Sequence, residues 1–116
     1  MNVPKEGCLL RVFVGESTLV HGRPVYEAIV FKARELGLAG ATVLRGVMGY
    51  GATSRIHAAH VLSLSDDLPM IVEVVDAREK IDQLLPFIDE VVTDGLVTLE
   101  RAEVIVYRAI DRKGQA

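Results

Sequence analysis

Apolar residues along the chain fall into runs of strand length and stripes of helical spacing. Residues 8–14 are rich in apolar and β-branched side chains and end at Gly15, which predicts a first strand. After Pro24, which suits the first turn of a helix, apolar residues recur at helical spacing until Gly37 supplies a stop. The pattern therefore predicts a buried strand followed by an amphipathic helix.

Two further strand segments flank a long stretch without a clear period. Residues 41–48 predict a second strand, which Gly46 weakens, and the apolar run at residues 70–75 predicts a third, central strand. The stretch between them ends at Leu68-Pro69, a dipeptide that favours extended or turn geometry. We therefore predict a long loop at about residues 49–69.

The C-terminal part of the chain predicts a second helix and a last strand region. Asp76 and Glu79 have the spacing of a capping box, and Pro86 is expected to bend the helix that follows. Asp94-Gly95 ends this helix, and residues 97–100 and 102–108 predict strand segments that are continuous or joined at a bulge. The predicted core face of the helix consists of Ile81, Leu84, Leu85, Ile88 and Val92.

This order of elements is βαββαβ. The two halves interleave into a four-stranded antiparallel sheet with both helices on one face, the ferredoxin-like α+β sandwich. One face of such a sheet is left uncovered, and a homotrimer that packs these open faces together would bury it. We expect one domain over residues 1–116, with a core at about residues 7–108.

The composition agrees with one globular domain. The 116 residues are 50% hydrophobic and 25% charged, and the positive mean hydropathy also favours burial between subunits. A net charge of -3 with interleaved signs offers no basic stripe, so nucleic acid is not an expected partner. Since no segment has the length of a membrane span or the core of a signal peptide, and Cys8 has no disulfide partner, we expect a cytoplasmic protein.

The glycine-rich segment at residues 46–51 is the most distinctive motif. Its three glycines permit close approaches of the backbone, but they lead into a loop rather than from a strand into a helix, which excludes a dinucleotide-binding fingerprint. Main-chain N–H groups near Gly49 and Gly51, with the polar residues 53–55, could hold an anion or phosphate. A glycine-rich hinge of a mobile loop is the alternative interpretation.

Other candidate groups are less specific. His57 and His60 would share one face if their segment were helical, but no cysteine or acid completes a metal-ligand set at a recognised spacing. Two interpretations stay open for this pair. The histidines bind a metal ion, or their imidazoles face solvent or contact an anion. Residues 15–17 follow the first strand, where a ligand contact or a plain turn is expected. No catalytic partner for Glu16 or His57 can be recognised from spacing.

Segments along nearly the whole chain, in order and without large gaps, resemble the PII-like family known as domain of unknown function 190. The resemblance rests on LLRVFVGE at residues 9–16, GRPVYEAIV at 22–30, GLAGATVLRG at 37–46, GYG at 49–51, SRIH at 54–57, LPMIVE at 68–73 and DGLVT at 94–98. This family is similar in fold to nitrogen-regulatory PII proteins and to CutA proteins. The resemblance implies a homotrimer with small-molecule sites in clefts between subunits.

In PII proteins, the loop between the second and third strands reaches out to partner proteins. Adenine nucleotides bind near the base of this loop and near the turn before the last strands. By position, the base corresponds to residues 46–51 and the turn to residues 93–98 of this chain. The resemblance therefore implies an adenine nucleotide as effector, with no other cofactor, and a membrane transporter or an enzyme as the regulated partner.

The resemblance also implies a set of ligand contacts, and the chain departs from the PII pattern at one of the two ligand regions. The expected contacts are Glu16, Arg45, Gly46, Gly49, Tyr50, Gly51, Ser54, Arg55 and His57. Residues 93–98 lack the lysine of the PII turn, and only Arg101 and Arg108 follow within the next ten residues, which favours a ligand smaller or less charged than a triphosphate. We predict a non-catalytic sensor; a CutA-like divalent-metal protein using His57 and His60, and an enzyme of unknown reaction, are the alternatives.

Overall fold

The computed structural model describes residues 3–51 and 67–110 and, for the main chain alone, residues 57–58. Within these residues the chain forms eight strands and two helices. In chain order they are β1 (Glu6–Gly15), β2 (Leu19–Val20), β3 (Arg23–Pro24), α1 (Val25–Glu35), β4 (Thr42–Arg45), β5 (Met48–Gly49), β6 (His57–Ala58), β7 (Pro69–Asp76), α2 (Arg78–Val91) and β8 (Leu96–Glu103).

Four strands form one antiparallel sheet in the order β4-β7-β1-β8. β1 is central, because it pairs along one side with β7 and along the other with β8. β4 completes the sheet on the outer side of β7. Both helices pack on one face of this sheet. The predicted ferredoxin-like α+β sandwich is therefore confirmed.

The hydrophobic core lies between the sheet and the two helices. Alternate residues of β1 and β7 point into it because successive side chains of a strand point to opposite faces. On α2 the buried positions are Ile81, Leu84, Ile88 and Val91, whereas Leu85 is only partly buried. Full burial of each such aliphatic side chain contributes roughly 1.5–3 kcal/mol, so these positions dominate the stability of the fold. The largest fully buried side chains are Leu10, Val12, Val25, Ile29, Val72, Val74, Ile81 and Leu84.

Both predicted helices are present, but the predicted capping box of α2 is wrong. Ala77 is the N-cap residue and no side chain caps this terminus. Asp76 is instead buried, 3% exposed. Its carboxylate accepts hydrogen bonds from the N–H of Ala77, at 2.6 Å, and from the N–H of Ala39, at 2.8 Å. Asp76 therefore joins the start of α2 to the connection between α1 and β4.

The helices end close to their predicted limits. α1 follows Pro24 and closes at Leu36, after which Gly37 adopts a φ of 79°, in the left-handed region that glycine enters at little cost. α2 continues through Pro86 up to Val91. Neither helix has the length and apolar character needed to cross a bilayer, among the residues that the structure describes.

Two strand predictions need correction. The predicted second strand at residues 41–48 is divided into β4 and the two-residue β5, because the chain leaves the sheet at Gly46. The predicted strand at residues 102–108 ends at Glu103, and residues 104–110 have no regular secondary structure. The reason is that Glu103 already pairs with Glu6, the first residue of β1, so that no partner strand remains.

Candidate functional site

Glu16 and Arg45 meet at the end of the sheet where both β1 and β4 end. Arg45 is the last residue of β4, and its Nη2 donates a hydrogen bond of 3.0 Å to Oε1 of Glu16. The two side chains are 59% and 30% exposed, so this is a solvent-accessible ion pair. The structure therefore brings together two of the predicted ligand contacts, which lie 29 residues apart in sequence.

The base of the long loop is closed by main-chain hydrogen bonds. The N–H of Gly46 donates to the carbonyl of Pro69 at 2.7 Å, and the N–H of Glu16 donates to the carbonyl of Leu68 at 2.9 Å. A Cβ atom at Gly46 would lie 2.6 Å from Cγ of Pro69, so the two ends of the loop approach at a distance that only glycine allows. The N–H of Gly46 is therefore already used within the protein.

The remaining predicted contacts lie further along the loop. Gly49 pairs with His57 in the short ribbon of β5 and β6, so His57 belongs to a strand rather than to a helix face. Tyr50 is 75% exposed, and Gly51 follows it at the surface. Ser54, Arg55 and His60 lie outside the described residues. Their predicted ligand and metal roles stay predictions.

Asp67 is a site residue that the sequence analysis left out. Its Oδ1 accepts a hydrogen bond of 2.7 Å from the N–H of Ser17. Its carboxylate also fills the space above Gly15, where a Cβ atom would lie 2.3 Å from Oδ2 of Asp67. The contact spans 50 residues of sequence. No local spacing pattern could have indicated it.

The second predicted ligand region, residues 93–98, leads into β8. Gly95 is tightly packed there, because a Cβ atom would lie 2.3 Å from the carbonyl oxygen of Phe13. Leu96 pairs with Phe13, near the end of β1 that also faces the loop base. Both predicted ligand regions thus lie at the same end of the sheet.

They lie, however, at opposite edges of that end. The loop base leaves from β4 and the other region enters β8, and β7 and β1 lie between these two edge strands. With strands about 4.8 Å apart, three strand spacings separate the two regions by about 14 Å. One copy of the chain therefore does not join them into a single cleft.

The sheet face opposite the helices carries an apolar row beside a polar one. The cross-strand partners Leu44, Ile71, Phe13 and Leu96 form the apolar row. In the neighbouring row, Arg11 Nε donates to Glu73 Oε2, and Arg11 Nη1 donates to Oε1 of Glu100, which lies one row further on, both at 2.9 Å. The hydrogen bond to Glu73 raises the pKa of the Arg11 guanidinium above its ordinary value. This open face therefore combines apolar area with a fixed charge network.

A cavity of about 710 Å³ lies at the far end of the sheet, away from the predicted contacts. It is bounded by Val3, by residues 39–42, by Glu73 and Val75, and by residues 102–107, which include the last two residues of β8 and the segment that follows it. None of the predicted ligand residues lines it. Within the described part of the chain, no group of three histidine, cysteine or acidic residues is arranged to hold a metal ion.

Known proteins resemble this chain in sequence. The DUF190 family model, described as Uncharacterized ACR, COG1993, matches residues 7–104. A UPF0166 protein from Aquifex aeolicus is 41% identical over 99 residues, which cover 84% of this chain and 91% of that protein. A UPF0166 protein from Methanocaldococcus jannaschii is 32% identical over 97 residues, which cover 83% of this chain and 89% of that protein.

The fold is also similar to that of a solved structure. This is the structure of CPII, a nitrogen regulatory PII-like protein from Thiomonas intermedia K12, bound to ADP, AMP and bicarbonate. The match has a TM-score of 0.62 at 17% identity and covers 85% of this chain and 88% of the CPII chain. At this identity the likeness concerns the fold. The family model and the two relatives confirm the resemblance to the family known as domain of unknown function 190 that was found in the sequence.

Proposed function

This chain belongs to the DUF190 family, and we propose that it acts in the cytoplasm as a non-catalytic, PII-like regulatory homotrimer. In this proposal a small molecule binds in the clefts between subunits. The loop between β4 and β7 then reports the bound state to a partner protein, either a membrane transporter or an enzyme. Ligand binding acts by shifting the populations of loop conformations.

The observation that carries this proposal is the position of the two predicted ligand regions at opposite edges of one sheet. A cyclic oligomer joins unlike surfaces of neighbouring copies. Such a contact would bring the β4 edge of one subunit against the β8 edge of the next. The loop base at Gly46 and the turn at Gly95 would then face each other across a subunit boundary and form one cleft.

The open face of the sheet supports the same assembly. Its apolar row of Leu44, Ile71, Phe13 and Leu96 runs across all four strands, and contiguous exposed apolar area of this kind marks an interaction surface. The Arg11 network lies beside this row and would fix the orientation of neighbouring copies, since charged pairs contribute more to specificity than to affinity. Burial of this face would also account for the high apolar content of so small a domain.

An adenine nucleotide is the ligand that we propose for the cleft. CPII, which is similar in fold, is bound to ADP and AMP. Tyr50 presents an exposed ring that could stack on a base, and Arg45 supplies a positive charge at the loop base. Because residues 93–98 contain no lysine, AMP or ADP suits the site better than ATP.

Two measurements on the purified full-length chain test this proposal. Light scattering should give a mass three times the 12.7 kDa of one chain. In a thermal-shift screen, AMP or ADP at about 100 times its Kd should raise Tm by roughly 10 °C, because a ligand that binds only the native state stabilises it. Arg45→Ala should reduce this shift. Arg78→Ala removes an arginine of similar exposure, which is ion-paired with Asp82 on α2; it is the matched control and should leave the shift unchanged.

The opposite results are equally informative. A monomer that shows no shift with AMP, ADP, ATP or cyclic nucleotides would contradict both the assembly and the ligand class. A shift with divalent metal ions that disappears in the His57→Ala, His60→Ala double variant would instead favour the CutA-like alternative.

A further inference from the structure

The turn that follows β1 holds two carboxylates of the chain itself. Oε1 of Glu16 accepts from Arg45 Nη2 at 3.0 Å, and Oδ1 of Asp67 accepts from the N–H of Ser17 at 2.7 Å. Arginine side chains and main-chain N–H groups are donors with which proteins commonly bind oxyanions. In this structure both donors are occupied by side chains of the same chain.

The Asp67 carboxylate is closely packed against the turn as well as hydrogen-bonded to it. The carboxylate lies above Gly15, in a space where a Cβ atom would be 2.9 Å from its Cγ. Any other residue at position 15 would displace the carboxylate. The turn therefore provides a recess of carboxylate size, with a main-chain donor on its wall.

Both contacts also involve the two ends of the long loop. Arg45 directly precedes Gly46, where the loop leaves the sheet, and Asp67 directly precedes Leu68, where it returns. Main-chain hydrogen bonds at Gly46 and Leu68 hold the base independently of these side chains. The charged contacts can therefore exchange while the base stays closed, and their exposure makes exchange with solvent anions feasible.

We propose that Arg45 and the Ser17 N–H, which are linked through Glu16, the partner of Arg45 and the residue before Ser17, form an oxyanion-binding site, and that Glu16 and Asp67 occupy it in the absence of ligand. A phosphate or carboxylate group of a ligand displaces the two carboxylates and takes over their donors. Displacement releases Glu16 from Arg45 and Asp67 from the N–H of Ser17. The side-chain contacts at both ends of the loop therefore change together. This inference rests on the proposed function, because it names the chemical group that the loop base recognises and the contacts that its binding changes.

Titration calorimetry with inorganic phosphate tests the proposal. Glu16→Gln and Asp67→Asn each keep a hydrogen-bonding oxygen but remove a competing charge, so each should bind phosphate roughly two- to fivefold more tightly than the original chain. Arg45→Gln should weaken phosphate binding by at least about fivefold. Asp82→Asn, which removes a carboxylate paired with Arg78 at 2.7 Å on α2, should leave it unchanged.

Two further probes identify the source of the oxyanion. If ADP binding tightens in Glu16→Gln and Asp67→Asn while adenosine binding does not, the group is the phosphate of a nucleotide. If phosphate and acetate binding tighten and ADP binding does not, the group is a free small anion. Each result supports the site.

The proposal is overturned if Glu16→Gln and Asp67→Asn bind phosphate no more tightly than the original chain, or if phosphate binds to no variant. Circular dichroism melts identify any variant that has lost its fold, and the other variant then carries the test. The original chain could instead prove to be a trimer that ADP stabilises, while Glu16→Gln and Asp67→Asn bind phosphate no more tightly than it does. The proposed function would then stand, and only the proposed oxyanion-binding site would be wrong.

Discussion

The phenol hydroxyl of Tyr107 donates a hydrogen bond of 2.8 Å to the main-chain carbonyl of Ala39. Tyr107 lies in the segment after β8, and Ala39 lies just before β4, so the bond joins segments next to the two opposite edge strands of the sheet. At the start of the segment after β8, the N–H of Val104 donates a hydrogen bond of 2.7 Å to the carbonyl of Lys5. Residues 104–107, which have no regular secondary structure, are thus held by hydrogen bonds at their first and last residues.

Loss of the Tyr107 hydroxyl should weaken the fold slightly. We expect Tyr107→Phe to lower the free energy of unfolding by about 0.5–1 kcal/mol, because one accessible hydrogen bond contributes that much. Urea denaturation measures the change. Tyr50→Phe removes the same atom from an exposed ring and should have no effect, and equal losses in both variants would contradict the role of the Ala39 contact.

Among the acidic side chains, Asp76 should be the one whose removal lowers the free energy of unfolding most. In Asp76→Ala the N–H groups of Ala39 and Ala77 lose their acceptor in a buried place, so we expect the free energy of unfolding to fall by about 2–4 kcal/mol. Asp89→Ala changes an exposed acid on the same helix and should stay within about 0.5 kcal/mol of the original chain. Similar values for the two variants would show that Asp76 is not an anchor.

A side chain at Gly95 should be poorly tolerated. Gly95→Ala would place a methyl group 2.3 Å from the carbonyl oxygen of Phe13, and we expect a loss of about 1–3 kcal/mol from the shift that relieves this overlap. Gly40→Ala is the matched control, because a Cβ atom there would meet nothing within 4 Å. A Gly95→Ala chain as stable as Gly40→Ala would contradict the close packing at this turn.

The open face predicts which apolar side chain matters for assembly. Leu44 and Phe31 are similarly exposed, at 46% and 48%, but Leu44 lies in the apolar row of the open face and Phe31 lies on α1. We expect Leu44→Glu to convert the proposed trimer into a folded monomer, because three buried carboxylates would lie at the proposed interface. Phe31→Glu should remain trimeric by light scattering, and dissociation of both variants alike would argue against the open face as the interface.

The sequence predicted the elements that depend on local periodicity. The approximate extents of α1, α2 and the central strands follow from apolar spacing, and the limits of α1 follow also from Pro24 and Gly37. It missed the hairpin of β2 and β3, whose strands have two residues each and whose turn uses His21 and Gly22 at positive φ rather than a familiar Asn-Gly pair.

Contacts between residues that are far apart in the chain could not be predicted from the sequence pattern. The apolar residues after Glu103 look like a strand, but whether they pair depends on how far β1 extends. Glu16 and Arg45 were both predicted as ligand contacts from the family resemblance, whereas their ion pair, and the contact of Asp67 with Ser17, depend on the register of β7 against β1 and β4.

The central place of β1 in the sheet also governs the order in which the protein can form. β1 is synthesised first, yet its neighbours β7 and β8 come late, and Glu6 finds its partner only at Glu103. Folding dominated by such distant pairings is slow compared with that of helical bundles. During synthesis the apolar first strand therefore stays unpaired along one edge until β7 has been made, and along its other edge until β8 has been made.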